Sequence, residues 1–235
     1  MKIIKNEKLI KRNGTIAGWA LGIAIISMGG GMYANLTTFQ GGDNRFISLT
    51  MAALGIGLIS MYVGLYLTKR FGGRPRVDEK IDSALKGLPG DYTLYHFTAP
   101  VPHLLVGPAG IWTLIPYHQR GTLSYEKNRW RISSGGFAQS YMSIFGLEGI
   151  GRPDYEAEYQ ISAIKKRLAR SLDENEVPDV QAALIFTNEQ MDLQVEGSPI
   201  PALKLKQLKD FLRQKAKERP ISHPQLVAVK AALLE

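Results

Sequence analysis

Cysteine is absent from this 235-residue chain, which excludes disulfides, thiolate metal sites and a cysteine nucleophile. Nucleotide-binding signatures are absent too. The glycines Gly107, Gly110, Gly135, Gly136, Gly146, Gly149 and Gly151 fall into neither a GxxxxGK[ST] loop nor a strand-linked GxGxxG turn. Ser133, Ser134 and Ser143 lack the surroundings of a nucleophile elbow, and neither an internal repeat nor a low-complexity tract is present. The most consequential absence is of charge: none occurs between Arg12 and Asp43, or between Arg45 and Lys69.

Each of those stretches is long enough to cross a bilayer, which takes about 20 apolar residues. The best window of the first runs over 15–35 and is followed by a polar, turn-forming link over 36–45; the second spans 46–68. A cleavable signal peptide would have a shorter apolar core and a small-x-small cleavage site, and no second span would follow so soon. The sequence therefore predicts a two-helix transmembrane hairpin. Its helices carry no ionisable residue in their cores, which argues against a transport or proton-relay role.

The net charge of +8 suggests a nucleic-acid binder until its distribution is read. The basic tail 1–14 carries Lys2, Lys5, Lys8, Lys11 and Arg12 against Glu7; the linker 69–76 carries Lys69, Arg70, Arg74 and Arg76. From Val77 onward acids and bases balance. Lys and Arg flanking spans are retained on the cytoplasmic side, so both termini are expected in the cytoplasm, with the protein in the cell membrane. Membrane lipid is the first expected partner, because the same flanks meet anionic headgroups. Small residues recur at four-residue spacing, Gly14, Gly18 and Gly22 in one helix and Ala53–Gly57 and Ser60–Gly64 in the other. Such faces permit close helix approach. Gly18, Gly22, Gly57 and Gly64 are accordingly candidates for a homo-oligomer or membrane-partner contact, with packing of the hairpin on itself as the plainer alternative.

The region 77–235 suffices for one compact domain. Helical periodicity marks VDEKIDSALKGL; short β-branched and aromatic runs mark strands at Tyr92–Phe97, His103–Gly107 and Gly110–Tyr117; and Gly121–Ile132 reads as a hairpin. A second long helix follows Pro153 with Asp154 as its expected N-cap. Val180–Phe186 reads as a buried strand, Leu203–Lys217 as a basic helix and Pro224–Leu234 as a last short helix. This order predicts an α/β sandwich with a mixed sheet.

Several stretches in order carry a family likeness: EKIDSALKGL, LLVGPAGIW, the following Gly121, PDYEA, ALIFTN and the basic helix. The chain resembles the nuclease-related domain (NERD) family across about residues 77 to 219, nearly the whole soluble part. The resemblance implies a restriction-endonuclease-like PD-(D/E)xK fold. It also implies a divalent ion held by an Asp and a Glu, with a Lys two residues beyond the Glu. On this sequence the Asp position falls at His103, the Glu at Ile115 and the Lys at Tyr117, while the family's helical Gln falls at Glu156. Glu79 alone matches a polar family position. The window Pro100 to Gly121 holds no Asp or Glu, so no shift of register restores the pair. Without it a Mg²⁺ site loses most of its neutralising charge, and the expectation is a domain that binds or scaffolds without catalysis or cofactor.

The competing reading is a metal-dependent nuclease with a rearranged site on Glu79, His103 and Glu156, with His118 close by; imidazole and carboxylate suit transition metals. Lys204, Lys206, Lys209, Arg213 and Lys217, with Lys215 and Arg219, are candidates for weak phosphate contact with nucleic acid or lipid. They read equally as the solvated face of a helix that buries Leu203, Leu205, Leu208, Phe211 and Leu212. Trp112, Trp130 and Tyr125 are accounted for by core and cross-strand packing.

Overall fold

The computed structural model describes residues 1–41, 47–73, 75–133, 150–172 and 177–233. The chain divides into two units: Met1–Lys5 with Val77–Glu235, and Asn6–Arg76.

The Asn6–Arg76 unit is a helical hairpin, α1 (Glu7–Gly41) and α2 (Ile47–Phe71). The Asn6 side chain accepts the Leu9 amide at 3.0 Å and caps α1. Buried positions recur every seven residues, at Ile10, Ala17, Ala24 and Gly31 on α1 and at Thr50, Gly57, Gly64 and Phe71 on α2. That is a narrow coiled-coil seam made largely of small residues. The Ser27 hydroxyl donates across it to the Ala53 carbonyl at 2.6 Å. The large side chains face outward instead: Trp19, Ile25, Ile26, Tyr33, Ile59 and Tyr62 are all at least 69% exposed. Both helices are long and apolar enough to cross a membrane. The expected link over 36–45 is shorter than the sequence suggested, because α1 continues through Gly41; residues 42–46, with Asp43 and Arg45, lie outside the described residues.

The other unit is a mixed α/β sandwich. Its main sheet has the order β1 (Lys2–Lys5), β2 (Thr93–His96), β3 (His103–Gly107), β4 (Gly110–Tyr117), β7 (Val180–Phe186) and β9 (Ala202–Lys204). Strands β2 to β4 form an antiparallel meander, while β1 runs parallel to β2, and β7 lies parallel to both β4 and β9. A smaller sheet joins the hairpin β5 (Gly121–Glu126) and β6 (Arg129–Ser133) to β8 (Met191–Gln194). Lys127 and Asn128 both have positive φ at the hairpin tip, the signature of a type I′ turn.

Two hydrophobic layers cover the main sheet. Ile81 and Leu85 of α3 (Val77–Leu85) and Leu208 and Leu212 of α5 (Leu208–Glu218) pack on one face, against Leu94, Leu105, Trp112 and Leu114. Ile164 and Leu168 of α4 (Pro153–Leu168) and Leu226 and Val229 of α6 (His223–Ala232) pack on the other, against Tyr95, Leu104, Val106 and Ile111. The GPAGIW segment is the turn between β3 and β4. A Cβ on Gly107 would collide with the Tyr92 ring, Gly110 sits at φ +112°, and Trp112 Nε1 donates to the Ala109 carbonyl at 2.8 Å. Its most distinctive residues thus answer to packing.

Three sequence expectations are corrected here. The basic tail 1–14 is no tail: Met1–Lys5 belongs to the α/β unit through β1, and Lys8, Lys11 and Arg12 lie within α1. The basic helix begins at Leu208, because Ala202–Lys204 pairs with β7 and Leu205–Gln207 forms a single 3₁₀ turn. Asp154 does not cap α4; Arg152 occupies that position and Pro153 follows at the first turn, where a missing N–H costs nothing.

Candidate functional site

Two partly buried polar networks lie on opposite faces of the main sheet. On the α3 face, Lys5 Nζ sits 3.0 Å from Asp78 Oδ2 and also contacts Asp82 Oδ2. The other Asp82 oxygen lies 3.0 Å from His96 Nε2, and His96 Nδ1 lies 2.7 Å from His103 Nδ1. Asp78, His96 and His103 are 1%, 0% and 3% exposed. Burial opposes the charge on Lys5, but the hydrogen bonds to Asp82 and Asp78 outweigh it and raise the ammonium pKa. Burial likewise disfavours ionised Asp82, yet His96 and Lys5 together hold its pKa below the ordinary carboxylate value. The network is an ion-paired clasp between β1 and α3 that reaches into the histidines of β2 and β3.

On the α4 face, the Tyr117 hydroxyl donates to Glu156 Oε2 at 2.9 Å, Gln160 Nε2 donates to Glu156 Oε1 at 3.3 Å, and the Thr113 hydroxyl donates to Gln160 Oε1. Burial, reinforced by the Glu156 charge, pushes the Tyr117 phenol far above its usual range, so it stays neutral and donates. Beside this chain, Trp130 Nε1 donates to Asp154 at 2.7 Å.

The side-chain period of a strand is two, and this separates the residues singled out by sequence. His103 turns to the α3 face with His96 and Asp82, whereas Ile115 and Tyr117 turn to the α4 face with Ala157 and Glu156. They do not converge. Leu104 pairs with Thr113, so extending that register brings Pro102 opposite Ile115, and Pro102 has no side-chain ligand atom, while its carbonyl accepts the Phe97 N–H. Glu79 is half-buried on α3, and Glu156 lies across the sheet on α4, so Glu79, His103 and Glu156 are not brought together. The α3 residues that enter the network are Asp78, adjacent to Glu79, and Asp82, one turn further on. His118 is exposed.

Nor do these donors suit an ion of the kind the resemblance implies. Ile115 offers no ligand, and the Tyr117 hydroxyl is engaged as a donor. Two histidine nitrogens 2.7 Å apart share a hydrogen bond, whereas tetrahedral ligands at 2.0–2.1 Å from zinc stand about 3.3 Å apart. Among the described residues no group of three His, Asp or Glu could hold a metal ion.

The basic positions are dispersed. Lys204 lies on β9 and Lys206 in the 3₁₀ turn, Lys209 Nζ donates to the Lys86 carbonyl at 2.7 Å, and Arg213 pairs with Asp210. Lys217 is exposed on α5. A cavity of about 480 Å³ near Lys215 and Arg219, walled by Trp112 and Gln181, touches neither network; Lys215 is paired there with Glu218 at 2.7 Å. In the hairpin unit, Gly57 and Gly64 abut Met28 and Leu21, while Gly18 and Gly22 face open space.

Sequence reasoning missed Lys5, Asp78, Asp82, His96 and Gln160. They are spread over β1, α3, β2 and α4 and share no motif; the buried Gln160, one helical turn beyond Glu156, was the nearest to a signal, given the glutamine that the resemblance implies for this helix. Comparisons with protein-family models, with curated proteins and with solved structures return no match to this chain.

Proposed function

We propose that this chain is a membrane-anchored, catalytically degenerate NERD-like domain that acts as a binding or scaffold module at the cytoplasmic face of the cell membrane. The observation that carries the reading is the α4-face network, in which Tyr117 is tied to Glu156; on the resemblance, Ile115 and Tyr117 fall at the positions of the family's Glu and Lys. A restriction-endonuclease-like core is supported by the order helix, three-strand meander, helix and parallel strand, with helices on both faces.

Membrane anchoring is supported by the inverted pattern of the hairpin, small residues inside and bulky apolar residues outside, which water would penalise and lipid accommodates. The basic flanks favour cytoplasmic placement of both ends. Residues 6–76 leave and re-enter a single folded unit, which agrees with an even number of crossings. Exposed Lys206, Arg213 and Lys217 provide for weak contact with nucleic acid or anionic lipid, falling steeply with salt. Gly18 and Gly22, unused within the hairpin, are the positions left for a second copy or a membrane partner.

Full-length protein in detergent, incubated with DNA or RNA in Mg²⁺ or Mn²⁺, is expected to cleave neither. Metal-dependent cleavage abolished by Glu79→Ala or Glu156→Gln would replace this reading with that of a rearranged nuclease.

A further inference from the structure

Strands β1 and β2 are sequence-consecutive and parallel, with Lys2 opposite Thr93 and Ile4 opposite Tyr95. Parallel neighbours always require a crossover connection, and here it contains α1, α2 and α3. The strand is well seated. Lys2 N–H donates to the Tyr92 carbonyl at 2.8 Å; Met1 packs against the core layer on the α3 face, and Ile4 against the layer on the α4 face. Lys5 closes the strand by its ion pairs with Asp78 and Asp82. Were α1 alone to cross a bilayer, about 30 Å of hydrocarbon would separate β1 from β2, and the edge of the sheet, with its buried carboxylates, would lack its partner.

We propose that Met1–Lys5 is a strap that makes completion of the α/β domain conditional on hairpin topology: the sheet closes only when α1 crosses the membrane and α2 returns. The inference rests on the membrane-hairpin reading above. It orders events during synthesis: β1, made first, waits on the side where residues 77–235 will emerge, and docks last. Lys5 locks it, since its ammonium reaches both α3 aspartates.

The register supplies a sharp test. Ile4 N–H points toward β2 by the alternation that starts at Lys2, whereas Ile3 N–H points to the free edge and its side chain is 41% exposed. Proline is tolerated at outward-facing edge positions and not where a ladder donor is removed. Full-length protein in liposomes is therefore compared as wild type, Ile3→Pro and Ile4→Pro, by limited proteolysis of the 77–235 region. Ile4→Pro should be digested about a hundredfold faster, because cleavage tracks the open population, while Ile3→Pro should match wild type. Deleting 47–71, so that α1 crosses alone, should leave the domain as protease-sensitive as Ile4→Pro. Equal digestion of the two proline variants, or a resistant domain after the deletion, would overturn the strap. The cysteine-free background lets a single thiol report sidedness. Asn44→Cys and Glu189→Cys should label from opposite faces; labelling from one face would remove the hairpin premise itself, a failure distinguishable from that of the strap.

Discussion

Replacing Lys5 by Met removes the cation from between Asp78 and Asp82 while keeping most of the apolar stem. Asp78 is 1% exposed, and breaking a buried pair from one side generally costs about 3–5 kcal/mol. Two features reduce that figure here. The Lys5 and Asp82 side chains are 18% and 19% exposed, so water screens part of the pair, and Asp82 retains His96. Asp78 also lies in the first turn of α3, where the helix dipole supports an anion by about 0.3–1 kcal/mol. A net loss of about 2–4 kcal/mol is expected, which for a domain of this size lowers the midpoint by roughly 5–15 °C. The assay is thermal unfolding of full-length protein in detergent, followed by near-UV circular dichroism from the domain tryptophans. Lys5→Met/Asp78→Asn should recover part of the loss, since the buried carboxylate charge that the ammonium faced is then removed with it. A Lys5→Met midpoint within about 1 °C of wild type would refute the argument that this buried clasp stabilises the domain.

Asp82, whose folded pKa is lowered, contributes stability that is present above the unfolded value of about 3.9 and lost as pH falls through the folded one; Asp82→Asn should flatten the acid limb of a stability–pH profile. Lys5, raised, contributes below about pH 10.4 and loses its contribution as pH climbs through its folded pKa, so Lys5→Met should flatten the alkaline limb. A Cβ on Gly64 would lie 2.8 Å from Leu21 Cδ2 and 3.1 Å from Leu21 N, so Gly64→Leu should weaken hairpin packing by about 1–3 kcal/mol in an SDS titration. Gly18→Leu, with open space around it, should leave that titration unchanged and diminish crosslinking of full-length protein if copies meet there. Tyr117→Phe should cost about 1 kcal/mol in unfolding free energy, and the wild-type tyrosine titration should match the variant's until the domain unfolds, because Tyr117 does not ionise in the folded state.

The meander β2–β4, strand β7 and the β5–β6 hairpin were legible because each is a local run of β-branched and aromatic residues bounded by Pro or Gly. Strands β8 and β9 were not: at four and three residues they are too short to show a period, and their partners are distant. Strand β1 failed for a related reason. Lys-Ile-Ile-Lys beside a hydrophobic span reads as a basic flank, and its pairing with Thr93–His96 is not local. The candidate site was legible only in part. Ile115, Tyr117 and Glu156 were singled out on the resemblance, but which of them share a face depends on strand alternation and on which helix covers that face.

What the sequence determined by itself is the pattern of charge and hydropathy along the chain. Two uncharged runs long enough for a bilayer, basic flanks and a charge-balanced remainder follow from composition along the chain, because burial in lipid and burial in a core require different local patterns. What only the tertiary structure decided is where the ionisable groups end up. His103 and Tyr117 lie fourteen residues apart on adjacent strands, yet they belong to opposite faces, and Lys5 meets Asp78 across the entire hairpin. Such pairings arise when non-local elements pack and bring each buried charge within reach of opposite charges and hydrogen-bonding groups from other elements, a condition that no window of sequence expresses.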